Sequence, residues 1–204
     1  MPLVPATAID DRLETLYDLV AEDEDARACR DLDDEACRWV PRNFFVFLAS
    51  NTLTKLGDAL ANPKTVLAWV MAAVGAPTAL VALLVPIRES GSMLPQLVLG
   101  GWVRGQARRK PIWLAGSVLQ AVAILGCAVA AATARGTVAG ALILGCVVVF
   151  SLARSLNSIA SKDLIGMTLP TGRRGRLGGY AASLSGLLTL AVGVWFFLRD
   201  RGQD

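Results

Sequence analysis

Apolar residues run along this chain in long uninterrupted blocks. Pro111 to Ala134, Gly136 to Ala153, Leu177 to Leu198 and Thr65 to Ile87 contain no charged residue, and shorter uncharged runs lie at Asn43–Thr54 and Ser90–Val103. A helix that crosses a bilayer needs about 20 mostly apolar residues. No segment alternates with the period of two that a barrel strand shows. Backbone polar groups cannot stay open in lipid, so the runs are read as helices. The competing reading is a soluble bundle of helices apolar on every side. Three long charge-free runs in 204 residues weigh against it.

The first 42 residues follow another pattern. Asp11-x-x-Glu14 resembles a capping box, with Asp in place of Ser or Thr. Leu13, Leu16, Tyr17 and Val20 then recur at helical spacing. Glu22–Asp25 reads as a solvated face or loop, and Trp39 and Pro41 sit where a chain meets a membrane interface. This head holds twelve of the 17 acidic and five of the 20 basic residues, a net charge of −7, and the rest of the chain carries +10. The whole is 54% hydrophobic and 18% charged, with a mean hydropathy of +0.51, which excludes a disordered chain. The boundary is placed near Pro41: an acidic cytosolic region at 1–42, a membrane domain at 43–198 and a tail at 199–204. The head is read as a cap packed on the membrane domain, with a regulatory role as the alternative. Met1–Asp11 has neither the basic start nor the apolar core of a signal peptide, so the first membrane segment is expected to direct its own insertion.

Loop charge sets the number of spans. If Thr65–Ile87 were the first span, the 14-residue run Ser90–Val103 would be too short to cross alone. The alternative has spans at about 44–61 and 76–103, and places Arg88 and Glu89 inside the bilayer. Arg104, Arg108, Arg109 and Lys110 form one basic cluster, and Lys162, Arg173, Arg174 and Arg176 another. Positive loops stay cytoplasmic. Arg38 and Arg42 beside the first span put the N-terminus inside too, so an even number of spans must precede 104–110. The second alternative satisfies this. Further spans are expected at about 111–132, 137–158 and 178–198, with Arg135 outside. The expected fold is an all-α integral membrane protein of about five transmembrane helices with a short helical cytosolic head, multi-pass in the cell (inner) membrane.

There is no histidine, which removes Ser-His-Asp and Cys-His catalysis and the commonest metal ligand. Cys127 and Cys146 lie in apolar runs and read as small hydrophobes. Cys29 and Cys37 are expected to stay reduced if the head is cytosolic. No metal, no cofactor and no enzymatic activity are expected. The Gly/Arg-rich stretch 172–179 lacks the phosphate-loop pattern, so neither nucleotide nor nucleic acid is expected as a ligand. The chemistry lies in charges within spans, each costing about 2.5–3.5 kcal/mol to insert. Arg88 falls about 12 residues into the second span, roughly 18 Å deep, with Glu89 beside it. Lys55 and Asp58 share a face of the first span at i, i+3. Asp58, Arg88 and Glu89 are the candidate lining of a translocation cavity. Glu89 or Asp58 would take up a proton, and Arg88 would hold an anionic group or balance Glu89. The alternatives are a structural ion pair and snorkelling of Lys55 to an interface. Pro86, Gly91 and Pro95 interrupt the second span, as in the broken helices of transporters or as a packing kink. Gly116, Gly126, Gly140 and Gly145 permit close helix packing.

Gly100-Gly101-Trp102-Val103-Arg104-Gly105-Gln106-Ala107-Arg108-Arg109-Lys110 resembles the loop between helices two and three of the major facilitator superfamily of secondary transporters. The usual aspartate is absent, and Arg104 stands in that region. Leu152-Ala153-Arg154-Ser155-Leu156-Asn157-Ser158-Ile159-Ala160 resembles that family's helix-four signature, and Leu169-Pro170-Thr171-Gly172-Arg173-Arg174-Gly175-Arg176-Leu177-Gly178-Gly179 its four–five loop. Asn62-Pro63-Lys64-Thr65 and Val85-Pro86-Ile87-Arg88-Glu89-Ser90-Gly91-Ser92 look like a bacterial permease branch. The fifth span lacks a Gly-Pro pair, which disfavours drug/proton antiport. The resemblance covers about 43–198 and implies the N-terminal six-helix half of a fold that binds substrate between two halves. It adds Arg154 to the pathway candidates and makes Gly101, Arg104, Arg108, Arg109, Arg173, Arg174 and Arg176 the cytoplasmic-loop signature. The expected function is secondary, ion- or proton-coupled transport of a small solute by a partial or truncated chain. Its partners would be the lipid bilayer, a small-molecule substrate and a second half-transporter chain. The alternative is a non-transporting membrane scaffold, a partner-binding protein or a non-functional fragment.

Overall fold

A computed structural model describes residues 8–21, 37, 39–106 and 110–201. Among them every regular element is a helix: α1 (Ala8–Ala21), α2 (Val40–Leu60), α3 (Val66–Ala73), α4 (Thr78–Arg104), α5 (Lys110–Thr133), α6 (Gly136–Thr168) and α7 (Thr171–Arg201). Three of these are long and apolar enough to cross a membrane: α5, α6 and α7 to Arg199, with mean hydropathies of 2.0, 2.3 and 1.9. Their outward side chains, such as Leu125, Val138, Leu187 and Leu190, are exposed apolar groups that lipid, not water, would cover. At 1.5 Å per residue α2 and α4 are about 31 and 40 Å long. They are set apart by polar content: α2 carries Lys55 and Asp58, and α4 carries Arg88, Glu89 and two prolines.

The chain divides into two compact units, Met1–Ala59 with Ile165–Asp204, and Leu60–Leu164. The second unit is organised around α6. Helix α5 runs antiparallel to it, as three contacts along their length show. A Cβ on Gly116 would sit 3.2 Å from the Ala153 carbonyl and from the Asn157 backbone nitrogen, and one on Gly126 would sit 2.8 Å from Cys146 Sγ. The Cys127 thiol points at the Ile143 carbonyl, 3.9 Å away. Helix α4 runs parallel to α6. Near its start, a Cβ on Gly140 would lie 2.9 Å from Ala76 and 2.8 Å from Leu80; further along, one on Gly91 would lie 3.0 Å from Ser151 Cβ. Glycines thus allow both neighbours to approach α6 more closely than side chains would permit. Gly145, on the same helix, meets nothing within 4 Å.

Helix α3 is too short to cross a bilayer. It forms an antiparallel hairpin with the first half of α4, closed at Gly75, whose φ of +76° glycine adopts without strain. The uncharged run Thr65–Ile87 is therefore two helices. Leu67, Met71 and Val74 join Leu84, Ile143 and Val147 in one apolar core. The Gly136 N–H donates to the Val74 carbonyl at 2.7 Å, so the α3–α4 and α5–α6 turns meet at one end of this unit. The basic segment 104–110 follows the opposite end of α4.

In the first unit the core is aromatic. Tyr17 of α1 packs edge-on against Phe44 of α2, with centroids 5.5 Å apart, and the Arg173 guanidinium of α7 lies 5.3 Å from the Tyr17 ring. All three are buried. The Tyr180 hydroxyl donates to the Val20 carbonyl at 3.1 Å, which fixes the end of α1. Leu169 and Pro170 separate α6 from α7, because the residue before proline avoids helical backbone. Arg174 then donates to the Gly166 and Leu169 carbonyls at 2.7 and 3.0 Å, capping the end of α6.

Two expectations about the head change. Helix α1 begins at Ala8, so Asp11 is an interior residue and not a cap; the capping pattern was a local match without the backbone turn that capping requires. Cys37 is disulfide-bonded rather than reduced, because pairing follows proximity in space, which sequence spacing does not reveal. Of the helical stripe, Tyr17 is the anchor and Leu16 stays 50% exposed.

Two predictions test this packing. Gly116→Ala, which pushes against α6 backbone, should destabilise the chain by about 1–3 kcal/mol. Gly145→Ala should be neutral or stabilising by up to about 1 kcal/mol; thermal unfolding in detergent compares them, and equal effects would contradict the packing. Tyr17→Ala should accelerate amide hydrogen exchange across 8–21 by about tenfold or more, whereas Leu16→Ala should not.

Candidate functional site

The polar chemistry of the second unit gathers in the middle of α4. Proline has no N–H, so Pro86 and Pro95 leave the carbonyls of Ala82 and Gly91 without their intrahelical donors. Between them the Ser92 hydroxyl is within 3.0 Å of both the Arg88 and Glu89 carbonyls, where it competes with the helix's own bonding. The helix nonetheless runs unbroken from Thr78 to Arg104, so the interruption expected at Pro86, Gly91 and Pro95 is not a break.

Arg88 and Glu89 point different ways, as consecutive helical residues must. The Arg88 guanidinium lies against α6, 4.7 Å from the Phe150 ring centroid. A guanidinium over an aromatic face gains a cation–π attraction that grows as water is excluded. Glu89 instead pairs with Lys64, with Nζ 2.8 Å from Oε1. Lys64 sits in the turn before α3, held by its own N–H donating to Asn62 Oδ1 at 2.8 Å. The Leu67 N–H donates to the Asn62 carbonyl at 3.0 Å and starts the short helix. The pair therefore closes the open end of the α3–α4 hairpin.

Facing α4, helix α6 presents Phe150 and Ser151, with Ser155 one turn on. Ser151 and Ser155 are fully buried, and their hydroxyls have no hydrogen-bond partner. A buried hydroxyl without a partner costs about 1–3 kcal/mol. Arg154, half-buried, follows Phe150 and Ser151 by four and three residues and so shares their face. Against α5 the polar groups are satisfied: Asn157 donates to the Ser117 hydroxyl at 3.2 Å, and Gln120 to the Gly116 carbonyl at 3.2 Å.

The other sequence candidates lie elsewhere. Lys55, exposed, and Asp58, half-buried, belong to α2 in the first unit. Gly101 and Arg104 lie in the last turn of α4, and Arg108 and Arg109 fall outside the described residues. Arg173 and Arg174 have structural work, stacking on Tyr17 and capping α6, and Arg176 is exposed.

Sequence reasoning did not single out Lys64, Phe150, Ser151 or Ser155 as a set. A signal existed for Lys64: it stands immediately before the uncharged run Thr65–Ile87 and follows a proline, a place where a helix breaks. Its partner 25 residues on could not be read without the hairpin.

The chemistry available is an acid and an ammonium in a separable pair, beside a fixed guanidinium, on a helix with free carbonyls. Such a set can bind charged groups. No family model, no curated protein and no solved structure matches this chain.

Proposed function

We propose that the chain is a secondary active transporter of a small solute, non-enzymatic and proton-coupled. In this reading α2, α4, α5, α6 and α7 are five spans of a half that resembles the N-terminal half of the major facilitator superfamily, completed by a second half. The observation that supports it most is the placement of two charges in the middle of α4. There Glu89 and Arg88 engage groups on two different elements, Lys64 and Phe150, between two prolines. Charges are retained at that cost in a membrane span mainly where they serve a pathway. Asp58 is the second candidate acid.

A scaffold without transport is the rival, and α7 favours it. Its apolar window is almost wholly exposed, with a shallow groove along Gly186, Thr189, Leu190, Gly193, Val194 and Phe197 that a partner helix would fit.

In the complete protein reconstituted in liposomes, Glu89→Gln should abolish uptake driven by a proton gradient, and unchanged uptake would remove the proton role. Orientation is tested separately. Single cysteines introduced at Arg135 and Gln106 should react with a membrane-impermeant maleimide from the outer and inner sides respectively. The reverse pattern would invert the topology.

A further inference from the structure

We propose that the facing thiols of Cys127 and Cys146 form a binding site for a monovalent soft metal ion of the copper(I) class, held between α5 and α6. The site makes no use of Arg88 or Glu89 and stands apart from the transport reading.

Cys127 of α5 is buried, Cys146 of α6 is half-buried, and both thiols are free. Both belong to the apolar core of the second unit. The two thiols interact directly with each other across the seam between the helices. Gly126 makes the room for this meeting: a Cβ there would stand 2.8 Å from Cys146 Sγ. The missing side chain of one helix thus cradles the sulfur of the other, beside a second sulfur. The Cys127 S–H points at the Ile143 carbonyl, 3.9 Å away and one turn before Cys146. Read along the chain, each cysteine is a small hydrophobe; folding makes them a pair.

Two sulfurs in an apolar wall select a narrow class of ion. Soft thiolates take copper(I)-like ions, whereas hard cations prefer oxygen. Structural zinc takes four ligands, and among the described residues no three His, Cys, Asp or Glu gather at one place. A monovalent ion with a filled d shell is satisfied by two sulfurs in line. Charge leads to the same class, because net charge in apolar surroundings is costly. The thiolate is the ligating form. Cys146 gives up its proton to water, while Cys127 keeps its own on the Ile143 carbonyl and offers a sulfur lone pair. One positive charge enters and one leaves, so the site is neutral before and after. A divalent ion would reach neutrality only if the proton directed at Ile143 left as well. Met71 is a third sulfur in this core, but it packs against Gly140, six residues and about 9 Å along α6 from Cys146, and is not a ligand.

The test uses Ag+, a monovalent d10 ion that is not readily oxidised, with the full chain in nanodiscs and chloride-free buffer. Equilibrium dialysis should find one more tightly bound Ag+ per chain in the wild type than in Cys127→Ser or Cys146→Ser, each weakened about a hundredfold or more at that ion. Gly126→Ala, which keeps both sulfurs but fills the cradle, should weaken it about tenfold. Met71→Leu should bind as the wild type does, and excess Zn2+ should not displace the ion. X-ray absorption on the Ag+-loaded wild type should show two sulfur neighbours, which keeps the site testable if a serine variant fails to fold. Equal Ag+ uptake by the wild type and both serine variants, a nitrogen, oxygen or third sulfur ligand in the spectrum, displacement by Zn2+, or a Cys127–Cys146 disulfide that takes no ion under reducing conditions would overturn the proposal.

Discussion

Close approach to α6 is the constraint on which the second unit depends. Two apolar helices in lipid gain little from apolar contact alone, because lipid tails are as apolar as leucine. What holds them is dense packing and the few polar contacts that dense packing permits. Gly116 and Gly126 let α5 lie against α6, so that Asn157 reaches Ser117 at 3.2 Å. Gly91 does the same for α4, and Gly140 receives Met71, Ala76 and Leu80. The hairpin of α3 and α4 can seat its apolar residues only because Gly140 leaves room for them. The position of Lys64, and so its pairing with Glu89, follows from that seat.

The same close packing explains where polarity is tolerated. On the α5 side of α6, amide and hydroxyl groups satisfy one another. On the α4 side, Ser151 and Ser155 keep hydroxyls without partners, opposite a helix whose Gly91 carbonyl is freed by Pro95. The unpartnered hydroxyls cost free energy on that seam. That seam also carries Arg88 and borders Glu89. Structural charges could have been placed at helix ends at far lower cost, as Arg174 is when it caps α6.

The sequence made the helices legible because lipid-compatible runs are long and binary: charged or uncharged, apolar or not. It also made the glycines legible as packing positions, though not which of them pack; Gly145 has the same local signature as Gly140, yet a Cβ there would meet nothing within 4 Å. The break at Gly75 was hidden inside an uncharged run, because hydropathy does not register backbone conformation. Arg88 and Glu89 stood out as charges where charges are expensive, but Phe150 and Lys64 come from other elements, and only folding brings them near. In the head, helical spacing pointed to Leu13, Leu16, Tyr17 and Val20 alike. Burial chose Tyr17, because an aromatic ring can meet both Phe44 and a guanidinium.

The disulfide at Cys37 and the basic loops pull the orientation of the chain in opposite directions. Disulfides persist in oxidising compartments, which would place the foot of α2 outside. If α2 and α4 both span, the segment 104–110 would then also lie outside, with four basic residues and no acid, against the positive-inside rule. The two signals differ in when they act. Lysine and arginine near a span bias its insertion as the chain enters the membrane. A thiol pair oxidises only after folding has brought it together, and it follows whatever compartment it reaches. On that order of events the basic segments would decide the orientation, and the Cys37 disulfide would report the compartment that the head then reached.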